Sequence, residues 1–94
     1  MSLRGKAYAQ LSEAHYGLKQ IEPTIFYGVL AMYLLHQLEA PQWRQIAGLL
    51  TIIQGQHSDD FTSILESYKT PLKAVIGIDG YDFIPELLEM YRQS

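Results

Sequence analysis

The feature that most restricts this chain is a run of apolar residues, Leu3, Ala7, Leu11, Ala14, Leu18 and Ile21, recurring at intervals of three and four. That spacing keeps side chains on one face of an α-helix, here for about five turns. Proline lacks the amide hydrogen and pushes the residue before it out of the helical region. Glu22-Pro23-Thr24 is therefore expected to end the first helix and open a second that runs to about Leu38.

The same punctuation recurs at Ala40-Pro41-Gln42, after which Trp43, Ile46, Ala47, Leu50 and Ile53 form the stripe of a third helix. Gly55 suits the cap of its C-terminus, where a left-handed residue is common. Ser58 is placed to accept hydrogen bonds from the amides of a fourth helix, with Asp59 and Asp60 favourably near the positive end of its dipole. Phe61, Ile64, Leu65 and Tyr68 are its expected inner face.

Residues 73–84 admit two readings. Asp79-Gly80 favours a tight turn between two apolar segments, as in a β-hairpin. The preferred reading is a short helix from Pro71 to about Ile76, a turn, and a last helix from Asp82 to Arg92 with Ile84, Leu87, Leu88 and Tyr91 inward, because an isolated hairpin lacks strand partners. The expected fold is all-α: five or six short helices, packed as antiparallel helical hairpins in one compact bundle spanning residues 1–94. Helices two and three are central, being apolar most of the way round.

Ninety-four residues suffice for one domain that buries roughly 60–65% of its unfolded surface. Apolar residues make up 48% of the chain and charged residues only 18%, so polar cover is thin and part of the surface is expected to meet a partner. The absence of cysteine removes disulfides, thiolate nucleophiles and Cys-based zinc sites, and it agrees with a reducing compartment. The residues after Lys6 form no apolar signal core, so a cytoplasmic location is expected. The longest apolar stretch, Ile25 to Leu35, is shorter than the ~20 residues of a membrane span and reads as a buried helix. Net charge is −3, and the scattered lysines and arginines make no cluster for a phosphate backbone, so no nucleic-acid partner is expected.

The chemistry-bearing residues give no recognisable centre. His15, His36 and His57 are evenly spaced, but their surroundings do not repeat. Metal ligands would have to converge from neighbouring turns, and only Asp59 and Asp60 lie near His57. Gly80 and Glu86 have the spacing of an EF-hand exit, yet Val75 and Gly77 occupy the positions where calcium-binding carboxylates begin. The serines at 2, 12, 58, 63, 67 and 94 lie in no nucleophile setting, and Glu86 with Glu89 reads as a solvated helix face. No catalytic, cofactor-binding or metal residue is assigned, and no enzymatic activity is expected. The seven tyrosines fit a packed core or a binding surface.

The stretch Ile46 to Leu65 resembles the antiparallel helical hairpin of tetratricopeptide-type repeats. In that family a small residue closes the first helix and an aromatic opens the second, roles that Gly55 and Phe61 could fill. Ser63 and Ile64 stand where the second helix usually carries alanine, and no period of 34 residues exists. Proteins of this type are similar to small helical chaperones and adaptors of bacterial secretion systems, and the resemblance implies a client helix held in an apolar groove. The leading functional expectation is a non-enzymatic protein-binding module, an adaptor, chaperone or self-associating subunit that forms a homodimer or hetero-complex. Its expected contact residues are Leu3, Ala7, Tyr8, Leu11, Ala14 and Leu18. The competing readings are a small inhibitor of the immunity or phage-encoded type that blocks a basic site on its target, and a helix-turn-helix DNA binder using the Pro41 turn and Arg44.

Overall fold

The element that organises the fold is the second helix, whose residues are apolar almost all the way round and which packs against most of the other described helices. The computed structural model describes residues 2–76 and 83–93, and the side chains of these except at 2–4, 72, 75 and 76. Six helices lie among the described residues: α1 (Ser2–Gly17), α2 (Ile21–Gln37), α3 (Trp43–Gln56), α4 (Ser58–Ser67), α5 (Lys69–Ile76) and α6 (Phe83–Gln93). The fold is an all-α bundle. α2 touches α1, α3, α4 and α5, and α6 closes over α3. The fully buried residues Ile25, Val29, Leu30, Met32 and Leu35 of α2 join Ile46, Leu50 and Ile53 of α3, Phe61 of α4 and Ile84 and Leu88 of α6 in one core. No described helix is long and apolar enough to cross a membrane.

Proline marks helix beginnings here rather than ends. Pro23, Pro71 and Pro85 each occupy the third position of α2, α5 and α6, within the first turn, whose amides have no intrahelical acceptor in any case. The expected break at Glu22-Pro23-Thr24 is thus displaced to Leu18-Lys19-Gln20. There α1 stops in a Schellman turn: the Lys19 amide donates to the Tyr16 carbonyl (3.0 Å) and the Gln20 amide to the His15 carbonyl (2.9 Å). α2 stops in the same way, through Glu39 to His36 (3.0 Å) and Ala40 to Leu35 (2.9 Å). The pivotal residues Lys19 and Glu39 have φ of 61° and 56°, a left-handed conformation usually left to glycine. Neither stop has the glycine that would have announced it.

Gly55 does not cap α3, since the helix continues through Gln56. His57 alone separates α3 from α4, at φ −136° and ψ 52°, and its side chain makes no capping bond. Ser58 lies inside α4 as its first residue, so it does not serve as the cap. Phe61 and Leu65 are buried as expected, with Ile64 and Tyr68 packed at the core's edge. The β-hairpin alternative is overturned at both ends, because residues 73–76 and 83–84 are helical. The intervening residues 77–82, including Asp79-Gly80 and the start of the EF-hand-like segment, lie outside the described residues. In α6, Ile84, Leu87 and Leu88 are buried and Tyr91 packs against the core, as the spacing predicts.

Candidate functional site, the outer face of α1

α1 turns the described part of its apolar stripe away from α2 and toward solvent. The residues turned toward α2 are mostly small or polar: Gly5 and Ser12 are buried, and Tyr8, Ala9, His15 and Tyr16 are half-buried. Small size lets the two helices approach closely. A Cβ placed on Gly5 would stand 2.9 Å from Leu35 Cδ2, and one on Gly28 would stand 3.0 Å from both Leu50 Cδ2 and Ser12 Oγ. The contact is fixed by a buried hydrogen bond, in which the Ser12 hydroxyl donates to the Thr24 carbonyl at 2.8 Å. Thr24, also fully buried, donates its hydroxyl to the Gln20 carbonyl at 2.7 Å. Both buried hydroxyls are satisfied, as burial requires.

The leucines consequently face outward. Leu11 is 41% and Leu18 67% exposed, with Ala14 exposed between them and Ala7 exposed one turn before Leu11. Of the expected contact residues these four share one solvent-facing strip. Leu3 belongs to α1, but its side chain lies outside the described residues. Tyr8 stands apart from the strip, half-buried, its ring stacked on Tyr27 with centroids 5.9 Å apart. Ile21 leaves the stripe altogether, because it begins α2 and packs at the core's edge.

Aromatic rings run in contact from α1 across α2 to Tyr68. His15 stacks on Tyr27 at 5.6 Å, and its Nδ1 donates to Gln20 Oε1 at 2.6 Å. Tyr27 meets Phe26 edge-on at 5.4 Å, and Phe26 meets Tyr68 at 4.8 Å. Past the C-terminal end of α1 the surface deepens into two adjoining grooves that share Lys19 and Ile21. One, of about 420 Å³, is walled by Tyr16 and His57; the other, of about 660 Å³, is walled by Pro23, Asp60 and Ile64. Sequence reasoning did not find these grooves, because they depend on the left-handed turn at Lys19.

Among the described residues, the remaining chemistry-bearing side chains do not converge. His36 lies edge-on to Trp43 at 5.3 Å, far along the chain from His15, and His57 occupies the α3–α4 link. Among the described residues no three metal-ligating side chains come together. Arg44 sits over the Trp43 ring at 5.2 Å, within reach of a cation–π attraction. Compared with protein-family models, characterised proteins and solved structures, the chain matches none.

Proposed function

We propose that this protein is a non-enzymatic protein-binding module whose contact surface is the outer face of α1. The observation that carries the proposal is the orientation of that helix: Gly5, Ala9 and Ser12 are among the residues turned inward, while Leu11 and Leu18 are exposed. Single exposed leucines are ordinary. A strip of Ala7, Leu11 and Ala14 on α1, continued by Leu18 just past its end, is different, because contiguous apolar surface of this kind marks contact sites. An adaptor, chaperone-like or self-associating role would use the strip in the same manner, as one helix laid against another.

Leu11→Asp tests the proposal. A strip outside the core predicts a variant that keeps its helical circular dichroism and melts less than about 15 °C below the parent, while any assembly measured by light scattering or partner capture is lost. A Leu11→Asp chain that is unfolded at room temperature would place the strip in the core and sink the proposal.

A further inference from the structure

We infer that α6 is a hinged strap, which lifts from α3 while the rest of the bundle stays folded, and that Tyr91 seated over Gly48 is the latch that holds it down. The inference is independent of the α1 face. α6 is fastened unevenly along its length. At its first residue the Phe83 ring packs against Tyr33 of α2, with centroids 4.8 Å apart, and Ile84, Leu87 and Leu88 are buried behind it. On the side toward α4 the packing is loose, because Phe61, Thr62, Leu65, Ile84 and Leu88 border an open hollow of about 160 Å³. Side chains facing a hollow lack partner atoms there, so they contribute less dispersion energy to holding the helix in place.

Near the far end of α6, Arg92 donates to Oε1 of Gln54 on α3, at an exposed position where water competes for the bond. Tyr91 makes the closer fit. A Cβ placed on Gly48 would stand 2.8 Å from the Tyr91 hydroxyl oxygen and 3.2 Å from its Cζ. The ring therefore occupies a niche that exists only because residue 48 has no side chain. Glycine weakens the interior of a helix, and Gly48 lies within α3, so alanine there should favour α3 by propensity. Its methyl group would nevertheless push the Tyr91 ring out of the niche. Lifting of α6 should thus respond to residue 48 in the sense opposite to helix propensity.

Native-state hydrogen exchange of the full chain at low denaturant tests the strap. In the parent, the amides of Leu87 to Tyr91 should be about ten-fold or more less protected than those of Val29, Leu30, Leu50 and Ile53, and should share one denaturant dependence. Gly48→Ala should lower protection across α6 by about another ten-fold, with α2 unchanged or better protected. In a Tyr91→Phe background, where no hydroxyl meets the methyl, the same alanine should lower it by about three-fold or less. Tyr91→Leu, which empties the niche and leaves α3 as it is, should lower protection in α6 alone. Equal protection of α2, α3 and α6 in the parent would overturn the strap, as would a residue-by-residue decline toward Gln93, which is end fraying. An effect of Gly48→Ala that is absent, or the same with and without the hydroxyl, would overturn the latch. So would a Tyr91→Leu chain whose loss of protection is spread evenly over α2, α3 and α6.

Discussion

Exchanging the polarity of two neighbouring residues in α1 should have effects opposite to those that hydrophobicity alone would give. Ser12 is fully buried, with its Oγ 3.0 Å from the place a Cβ on Gly28 would take and its hydroxyl bonded to the Thr24 carbonyl. Ser12→Leu forfeits that hydrogen bond, a net loss of about 1 kcal/mol. It also forces a branched side chain against Gly28 and Leu50, an overpacking cost of about 1–3 kcal/mol. The combined loss of 2–4 kcal/mol lowers the Tm of a domain this size by roughly 10–25 °C. Leu11→Ser, at a site 41% exposed, gives up only part of the ~1.5–3 kcal/mol that full burial of a leucine contributes. With a few tenths for helix propensity it should cost about 1 kcal/mol. Thermal melts followed by circular dichroism at low micromolar concentration, where association does not contribute, read both. The reasoning is refuted if Ser12→Leu melts at or above the parent while Leu11→Ser falls by more than about 15 °C, since that order would make the leucine face the core.

Further outcomes follow from the turns and the helix contacts. Lys19→Gly and Glu39→Gly, at φ of 61° and 56°, should each raise stability by about 0.5–1 kcal/mol in denaturant melts, because relief of the left-handed strain exceeds the added freedom of the unfolded chain. Gly28→Ala should be destabilising even though alanine is the better helix former, and less so when Ser12 is also alanine. A double-mutant cycle should return a coupling of about 0.5–1 kcal/mol, whereas strict additivity would mean that the 3.0 Å approach to Ser12 Oγ does not matter. Glu89→Gln removes the exposed 3.7 Å ion pair with Arg92 and should shift stability by less than about 0.5 kcal/mol.

What could be read from the residues, and what could not, follows from which physical term decides each feature. Helices α2, α3 and α6 were legible because their inward residues are large and apolar, so burial and periodicity point the same way. Trp43 to Ile53 and Ile84 to Leu88 lie where their spacing predicts. α1 was legible as a helix but its inward face was not. Leucines dominate a periodicity argument, whereas the decisive term was the close approach that small residues allow, Gly5 to Leu35 and Ser12 to Gly28, with Ala9 between them in sequence. The 4-and-3 spacing of those small residues was the available signal. The stops at Lys19 and Glu39 were hidden for another reason, since a left-handed residue other than glycine leaves no mark in composition. Prolines misled at Pro23 because a first-turn proline and a helix breaker look alike when the preceding stop is unmarked. Of the expected contact residues, Ala7, Leu11, Ala14 and Leu18 were found through periodicity and form one exposed strip, while Tyr8 was drawn inward by Tyr27.

The closing of α6 over α3 has a kinetic consequence. α1 and α2 are joined by only Leu18, Lys19 and Gln20, so their contacts are near in sequence and form at little cost in chain closure. Tyr91 reaches Gly48, and Ile84, Leu87 and Leu88 join the core, only after the chain has folded back across a far longer separation. A molecule in which α6 has come away therefore presents two apolar surfaces together, the α1 strip that is always outside and the newly bared side of α3. Heating or mild denaturant should then produce clumping before α1 and α2 have separated, and the stickiness of the chain under stress would be set at its C-terminal helix.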